Sequence, residues 1–511
     1  MLQIQNLNMY HTHNHHQLIE SANFVVNPGD RAAIIGGEGT GKSSLLKWIY
    51  NPDLTPDYIS VQGQLNNHFK SMAYLPQLLD RDTLNLTVNA FLYGMDYLYD
   101  LDFNLLFQAA NRLNFDLDSI DHDRNLGQLS GGQQIKLQMI KLMATQPDLY
   151  LLDEPSNNLD LRTMEWLTEF IQTEDATFIY VSHDERLLQQ TATKVIHLEQ
   201  VLHKTQPKFT EANLTYQDYV DQRRAKFERH TQVANKQAQE HKEQMIANNE
   251  VKQKLHSQLN ATKDSTAGRL LAKKMKNINA QEKRFNRESE SHLEKPIPED
   301  QINIEFNRVK PLDHKLLLNL YDYDVNQPTA GLIQHINFDF KSHDKVGFFG
   351  DNGVGKTSFL NQLHHELSER SDIELAYMPQ DYKELFDLSQ TPIEFLTQTG
   401  EKEEQTLIMT ALGSSLFTPE EMTQSIEHLS GGQQAKLFLL KMSIEGSNVI
   451  LLDEPTRNFS PLSQSELRHI FTDFSGGLIT ISHDILFLKE VCDVIYEVTP
   501  MGLIRHRRNE Q

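Results

Sequence analysis

The loop that decides the fold is Gly36-Gly37-Glu38-Gly39-Thr40-Gly41-Lys42-Ser43, followed by Ser44. Its pattern returns in the second half of the chain as Gly350-Asp351-Asn352-Gly353-Val354-Gly355-Lys356-Thr357, followed by Ser358. Each loop follows a short apolar run, 31–35 or 345–349, and precedes a helical pattern. A glycine loop between a strand and a helix turns backbone N–H groups towards phosphate. The sequence therefore predicts two phosphate-binding loops.

Three further motifs follow each loop in the same order. In the first half they are Leu129-Ser130-Gly131-Gly132-Gln133, Leu151-Leu152-Asp153-Glu154-Pro155 and Ser182-His183-Asp184. In the second half they are Leu429-Ser430-Gly431-Gly432-Gln433, Leu451-Leu452-Asp453-Glu454-Pro455 and Ser482-His483-Asp484. One glycine loop alone is a moderately specific signal. Four motifs in fixed order, present twice, indicate a tandem ATPase of the ATP-binding-cassette class.

The residue types in both sets suit the binding of ATP and Mg²⁺. We expect every residue of the two glycine loops to contact nucleotide, with Lys42 and Lys356 on the β- and γ-phosphates. Asp153 and Asp453 end apolar runs, where a carboxylate can hold Mg²⁺ through water. The hydroxyl groups at the ends of the loops, and the glutamines of Leu-Pro-Gln and Met-Pro-Gln, complete the expected metal set: Ser43, Thr357, Gln77 and Gln380.

Two glutamates and two histidines are the predicted catalytic residues. Glu154 and Glu454 directly follow the aspartates, where they can polarise the attacking water. His183 and His483 can hydrogen-bond the γ-phosphate. Hydrolysis would then depend on positioning and charge stabilisation rather than on a covalent intermediate.

The Ser-Gly-Gly-Gln turn in this class of fold caps the nucleotide of the opposite lobe. One composite site, called site one, would join the Lys42 loop to Ser430, Gly431, Gly432 and Gln433. Site two would join the Lys356 loop to Ser130, Gly131, Gly132 and Gln133. Tyr10 is a candidate for stacking on adenine, as is Tyr323 with Tyr321 competing, although an aromatic residue in a strand more often belongs to the core.

The repeat divides the 511 residues into three parts. Residues 1–205 (lobe one) and 301–511 (lobe two) each read as an ATPase domain, with short apolar runs between helical stretches. That pattern predicts an α/β fold with a mainly parallel sheet covered on both faces. The single cysteine, Cys492, excludes an internal disulfide. Without a signal peptide or an apolar run of membrane-spanning length, the chain is expected in the cytoplasm, acting as a monomer.

Residues 206–300 form a basic insert between two acidic lobes. From Lys204 to Lys295 there are 19 Lys and Arg against 12 Asp and Glu, although the whole chain has a net charge of -22. Residues 216–260 lack proline and glycine and predict one long helix, with a turn at 261–268 and a return helix stopped by Pro296 and Pro298. A solvated spacer is the plainer interpretation. A helical hairpin with a basic tip, 261–276, favours contact with a polyanion.

With these motifs in hand, nearly the whole chain resembles the ABC-F family of translation-associated ATPases. Asp-Glu-Pro-Ser-Asn-Asn-Leu-Asp at 153–160 is similar to the family's D-E-P-T-N-H-L-D, and 213–223 is similar to the tyrosine-rich entry of its linker. The resemblance implies ribosome binding in the E site with ATP bound, a linker reaching rRNA, P-site tRNA and the peptidyl-transferase centre, and release on hydrolysis. Neither a membrane nor DNA is expected as a partner. Family members regulate translation, rescue stalled ribosomes or displace antibiotics.

The chain departs from the family pattern at three points. Lys42 and Ser130 are 88 residues apart and Lys356 and Ser430 are 74 apart, so lobe one has little room for the extra arm of some members. Glu38 replaces the usual Asn of the loop. Arg457 and Ser460 replace the usual Asn and final Asp of the second acidic motif. Glu38 and Ser460 should both fall on site one. We therefore expect site one to hydrolyse ATP slowly and mainly hold the lobes together, while site two hydrolyses ATP repeatedly.

Several other functions remain open at this point. The ATPase subunit of an importer would have a short join instead of a basic hairpin, and a DNA-repair cassette would carry zinc cysteines. A non-hydrolysing scaffold is disfavoured by the two glutamates. Within the family, antibiotic resistance is favoured over a housekeeping role by the long linker and lean first lobe.

Overall fold

The computed structural model describes residues 1–13, 15–94, 103–113, 115–157, 159–201, 206–261, 265–289, 301–325, 333–381 and 387–506. The chain divides into two compact units, one of Met1–Tyr216 with Glu299–Gln511 and the other of Gln217–Pro298. The first unit contains both lobes. No helix within the described ranges is long and apolar enough to cross a membrane.

Lobe one is an α/β structure around a mainly parallel sheet. The strands are β1 (Leu2–His11), β2 (Gln17–Val26), β3 (Arg31–Gly36), β4 (Ile59–Asn67), β5 (Met72–Leu75), β6 (Leu149–Asp153), β7 (Thr177–Val181), β8 (Lys194–Val201) and β9 (Gln206–Ala212). The helices are α1 (Lys42–Tyr50), α2 (Arg81–Leu84), α3 (Val88–Tyr93), α4 (Phe103–Arg112), α5 (Gly131–Ala144), α6 (Leu161–Thr173) and α7 (Glu185–Thr191). The main sheet has the order β5-β6-β7-β3-β8-β9, and β2-β1-β4 form an antiparallel sheet.

The predicted domain boundary at residue 205 needs a correction. Strand β9 pairs antiparallel with β8, from Val195 opposite Ala212 to Val201 opposite Gln206, so the sheet of lobe one continues to Ala212. The strand was missed because its sequence is polar and half exposed, as is usual for the outermost strand of a sheet. From here on, lobe one includes β9.

The second compact unit is built from two helices, α8 (Tyr216–Ala261) and α9 (Ser265–Ser289). Helix α8 has 46 residues, about 69 Å at 1.5 Å per residue. The Lys252 ammonium lies 2.7 Å from a Glu282 carboxylate oxygen and joins the two helices. Helix α8 matches the long helix predicted over 216–260. The predicted turn was too long, because α9 already begins at Ser265; residues 262–264, Pro296 and Pro298 lie outside the described residues.

Lobe two repeats the design of lobe one. Its strands are β10 (Leu316–Val325), β11 (Ile333–Lys341), β12 (Lys345–Phe349), β13 (Leu375–Met378), β14 (Val449–Asp453), β15 (Gly477–Ile481), β16 (Val494–Thr499) and β17 (Gly502–His506). Its helices are α10 (Lys356–Ser368), α11 (Pro392–Leu396), α12 (Lys402–Ser414), α13 (Pro419–Thr423), α14 (Gly431–Glu445), α15 (Pro461–Asp473) and α16 (Ile485–Val491). The main sheet, β13-β14-β15-β12-β16-β17, has the same order as that of lobe one.

Buried strands place the functional motifs at one edge of each sheet. Strands β6, β7, β14 and β15 are buried along their whole length. They run parallel to β3 and β12, which lead into the glycine loops. The carboxyl ends of parallel strands meet at a common edge, where ligands bind in open α/β sheets. Cys492, as expected of a packing residue, is buried.

Candidate active sites

Both glycine loops connect a central strand to a helix, as the sequence predicts. Gly41 and Gly355 precede helices α1 and α10 with φ of 92° and 106°, a left-handed conformation that glycine adopts without a steric penalty. The Lys42 ammonium donates to the carbonyl oxygens of Gly36 and Gly37 at 2.9 and 2.7 Å. Lys356 repeats this with Gly350 and Asp351 at 2.8 and 3.0 Å. Each lysine is thus held inside its own loop.

Each loop hydroxyl bonds the aspartate at the end of the neighbouring buried strand. Ser43 Oγ donates to Asp153 Oδ1 at 2.9 Å, and the Thr357 hydroxyl bonds Asp453. Burial raises the pKa of both aspartates. Asp453 Oδ2 is buried and has no hydrogen-bond partner within the described part of the chain. A hard cation accepts oxygen ligands of this kind, so the residues present fit Mg²⁺.

Each pair of catalytic candidates consists of a glutamate and a histidine in contact. The His183 N–H donates to Glu154 Oε2 at 3.1 Å, and the ring Nε2 lies 3.1 Å from Glu154 Oε1. In lobe two the corresponding His483–Glu454 distances are 3.2 and 3.6 Å. Both glutamates have φ of 52°, in the left-handed region that non-glycine residues rarely adopt. The backbone N–H of Glu154 donates to Val181 O, and that of Glu454 to Ile481 O.

The two glutamates have different electrostatic surroundings. Burial acts to raise the pKa of Glu154, but the contacts of its carboxylate with His183 and the charge of Lys42 outweigh it, so its pKa is lowered. Burial raises the pKa of Glu454 to about 8. Burial also lowers the pKa of His483 to about 4, with Lys356 acting in the same direction. The two sites therefore repeat the same residues in unequal environments.

Site one is assembled from both lobes. Glu38, in the loop of lobe one, accepts a hydrogen bond from the Gly432 N–H of lobe two at 3.1 Å. His183 Nδ1 lies 3.2 Å from the Phe459 carbonyl oxygen, and the Gln464 side chain donates to the His183 carbonyl at 2.9 Å. Glu38 and the carbonyl oxygen of Phe459, the neighbour of Ser460, thus both contact the opposite lobe. Ser460 itself bonds Ser463, and its place in site one stays a prediction.

Site two pairs the opposite elements. A cavity of about 260 Å³ lies between the 130–133 turn of lobe one and the loop of lobe two, where Ser130, Gly132 and Gln133 face Asp351 and Asn352. Each signature turn begins a helix through a reciprocal cap. Gln133 and Ser130 bond each other's backbone N–H at 3.1 and 3.3 Å, and Gln433 and Ser430 do so at 2.9 and 3.3 Å. The caps hold Gly131–Gly132 and Gly431–Gly432 in the first helical turn. Gln133 and Gln433 therefore position the glycines of their own turns.

Acidic and histidine side chains also meet between the two sites. A cavity of about 110 Å³ is lined from lobe one by His183 and Asp184, and from lobe two by Glu454, His483 and Asp484. Gln380 lies on its wall. Gln77 is exposed and follows β5, the neighbour of β6.

The remaining candidates occupy the flanking strands. Tyr10 is half-buried on β1 and its hydroxyl accepts from Gln17 at 3.3 Å, next to Leu18, which lies against Gly41. Tyr323 is half-buried, whereas Tyr321 is 86% exposed. Adenine stacking at these positions stays a prediction.

Sequence reasoning missed three residues that support the sites. Tyr74 donates its hydroxyl to Asp153 Oδ2 at 3.3 Å. Gln464 holds His183, as described above. Arg468 of lobe two is buried and lies 2.8 Å from Glu185 of lobe one. The only signal in the sequence was position, because Glu185 follows Ser-His-Asp and Arg468 lies two turns into the helix after the 456–460 turn.

A family model described as ABC transporter matches residues 19–157 and 333–457, together more than half of the chain. The chain belongs to the ABC transporter family. Relatives include ribosome protection protein VmlR of Bacillus subtilis (strain 168), 29% identical over 95% of this chain and 85% of that protein. ABC transporter F family member 5 of Arabidopsis thaliana is 25% identical over 94% and 72%. These relatives confirm the predicted resemblance to the ABC-F ATPases.

Solved structures of ABC proteins share the fold. One is that of the archaeal ribosome recycling factor aABCE1 in complex with stalk protein aP1, with a TM-score of 0.61, 16% identity and coverage of 98% of this chain and 90% of that one. A second, titled RNase-L Inhibitor, has a TM-score of 0.58 at 17% identity and covers 94% and 87%. The chain is therefore an ABC ATPase with two tandem ATP-binding domains and a long helical segment between them.

Proposed function

We propose that this ABC ATPase binds the ribosome in its closed, ATP-bound form and leaves when ATP is hydrolysed. The observation that supports this most is the assembly of each site from both lobes, as in the Glu38–Gly432 contact and the cavity between Ser130 and Asn352. A nucleotide at such a junction holds two lobes together. Its hydrolysis removes that bridge, and the chain acquires two forms with different surfaces.

The assignment of residues within each site is part of this proposal. Lys42 and Lys356 contact the β- and γ-phosphates, and Mg²⁺ is held beside Ser43, Gln77 and Asp153, or beside Thr357, Gln380 and Asp453. Glu154 and Glu454 orient the attacking water, with His183 and His483 on the γ-phosphate. The oxygen donors support the metal assignment, as does the buried Asp453 Oδ2, which has no hydrogen-bond partner among the described residues.

The ribosome is the partner best supported by the relatives and by the charge of the helical unit. VmlR is named a ribosome protection protein and aABCE1 a ribosome recycling factor. Arg269, Lys273, Lys274 and Lys276 are exposed near the start of α9. Exposed cations pair with RNA phosphates and gain affinity from counterion release. The chain would occupy the E site in the cytoplasm and direct this end of its linker towards P-site tRNA and the peptidyl-transferase centre.

Ribosome protection against antibiotics is the specific role we propose within the family. The relative VmlR and the long linker support it. A housekeeping role in translation is the second candidate, since the site residues serve both. The importer reading is the least favoured, because α8 and α9 replace the short join that it requires.

Ribosome co-sedimentation tests the proposal. The double variant Glu154→Gln/Glu454→Gln should hold ATP without turnover and pellet with ribosomes only when ATP is present. Lys42→Ala/Lys356→Ala should not pellet with or without ATP. Absence of ATP-dependent binding by the double variant at low salt would refute the ribosome as partner.

Charge substitution in the linker tests how it contributes. Changing Arg269, Lys273, Lys274 and Lys276 to Gln should reduce the dependence of log affinity on log salt by about 0.7–0.9 for each RNA phosphate that the linker no longer neutralises. A matched control changes one Arg and three Lys of helix α8 instead, namely Lys226, Arg229, Lys236 and Lys242. It should reduce the salt dependence less. Antibiotic-susceptibility assays of the same variants then separate protection from a housekeeping role.

A further inference from the structure

The contact between Glu38 and Gly432 places a carboxylate where a signature turn caps nucleotide. Glu38 Oε2 accepts from the Gly432 N–H at 3.1 Å, and a Cβ on Gly431 would lie 3.2 Å from Glu38 Oε1. Both glycines are in the first turn of α14, a helix of 15 residues. The free N–H groups and positive dipole of a helix N-terminus favour an anion there. In site one that anion is a side chain of the protein itself.

The equivalent position in site two is neutral. Asn352 stands where lobe one has Glu38, and it lines the cavity of about 260 Å³ that also contains Ser130 and Gly132. The two sites thus differ at the point where the loop of one lobe meets the signature turn of the other. The two loops carry the same charge, because Asp351 stands where lobe one has Gly37, but the carboxylate lies one residue earlier in lobe two. Glu38 contacts the N-terminus of α14, whereas a Cβ on Gly132 would meet no atom of the described residues within 4 Å.

Site one already carries a concentration of negative charge around its lysine. Glu154, Glu38 and Asp153 all act on Lys42, and they oppose the lowering of its pKa that burial causes. A γ-phosphate brought between Lys42 and Gly432 would add further negative charge beside Glu38. It would also need the hydrogen-bond donor that Glu38 uses. A nucleoside diphosphate is one phosphoryl group shorter and leaves this donor to Glu38.

We propose that Glu38 takes the place of a γ-phosphate in site one, so that this site closes over a nucleoside diphosphate in preference to a triphosphate. The Glu38–Gly432 bond then bridges the lobes across site one whatever the state of site two. In site two no atom of the described residues lies within 4 Å of a Cβ on Gly132, so there the triphosphate itself completes the bridge. The inference rests on the ATP-binding fold and is independent of the ribosome proposal.

Calorimetric titration with ADP and with the non-hydrolysable analogue AMPPNP tests this preference. In the full chain carrying Lys356→Ala, which removes binding at site two, Glu38→Asn should shift the affinity ratio towards AMPPNP by at least about tenfold, the change expected on removing a charge-assisted hydrogen bond and a like-charge repulsion. The matched control is the transplant Asn352→Glu in the Lys42→Ala background. It should shift site two towards ADP.

A distance measurement gives a second readout that does not depend on affinity. The single native cysteine is buried, so spin labels can be placed at Asp53→Cys in lobe one and Glu403→Cys in lobe two, both exposed. With ADP, site two loses its bridge in both proteins, so the interlobe distance should lengthen less in the parent than in Glu38→Ala, which has no side-chain acceptor for the Gly432 N–H. An unchanged ADP-to-AMPPNP ratio in Glu38→Asn, or the same distance distribution in Glu38→Ala as in the parent, would overturn the proposal.

Discussion

Removing the two glutamates one at a time should affect turnover very unequally. Glu154 is paired with His183 at 3.1 Å through both the ring and the backbone N–H of the histidine, and site one is bridged by Glu38. Glu454 lies 3.6 Å from the ring of His483, and site two is bridged by no carboxylate at the equivalent position, which is Asn352. We therefore expect site two to carry most of the steady-state ATP hydrolysis.

The size of the effect follows from what a general base contributes. A positioned base accelerates proton transfer by about 10²–10⁴-fold. Glu454→Gln should therefore reduce kcat by about 10²-fold or more. The kcat that remains is then the rate of ATP hydrolysis at site one. A loss of that size requires site one to carry about 1% or less of the flux, so Glu154→Gln should leave kcat almost unchanged. The difference between the two variants corresponds to about 2.7 kcal/mol or more in activation free energy.

Phosphate release in the steady state, together with a single-turnover experiment, measures this difference. Single turnover separates hydrolysis from product release, so a change in release cannot be mistaken for a change in chemistry. The isosteric Gln at both positions serves as the matched pair. Equal losses in the two single variants would show that both sites turn over in every cycle, and the asymmetry would be refuted.

Three further predictions concern the interlobe contacts and the helical unit. Arg468→Met should destabilise the fold by about 3–5 kcal/mol, because it leaves the buried Glu185 carboxylate without its partner; in urea unfolding, Arg468→Met/Glu185→Gln should recover most of the loss, and no recovery would contradict the pairing. Burial raises the pKa of Asp184 to about 6, with Asp484 and Glu185 adding to the rise and Arg186 opposing it, so its contribution to stability is full below pH about 3.8 and lost as the pH rises through about 6. The stability difference between the parent and Asp184→Asn should therefore favour the parent more at pH 5 than at pH 8. The expected change is about 1.4 kcal/mol, because about one pH unit lies between pH 5 and the folded pKa of about 6. A pH-independent difference would contradict this. Leu255→Ala should increase hydrogen exchange in α8 and α9, because Leu255 is buried and its truncation costs about 2 kcal/mol, whereas exposed Val251→Ala should not.

The elements with a strong local signal could be predicted from the sequence. Strands β6 and β14 are apolar runs that end in the predicted aspartates, and β7 is a buried run that leads directly to Ser182-His183. Helix α8 lacks proline and glycine over its length and was predicted almost completely. In each case the deciding information lies within a few neighbouring residues.

Features that depend on distant pairing could not be predicted. Strand β9 is polar and exists because β8 pairs with it. The Arg468–Glu185 ion pair joins residues 283 positions apart, and nothing near either residue indicates the other. Ser460 was noted as a departure from the family pattern, yet its hydroxyl caps α15 as the Asp160 carboxylate caps α6, so the substitution removes a charge and keeps the cap.

The left-handed backbone of Glu154 and Glu454 costs folding stability at the two positions where the carboxylates are needed for catalysis. A side chain at φ of 52° is strained by about 1–2 kcal/mol relative to glycine at the same place. Replacing either glutamate by glycine would relieve that strain and remove the carboxylate, giving a chain that is inert at that site and gains back part of this energy. A selection for thermal stability alone, applied to a library of this gene, would therefore enrich for loss of the ATPase.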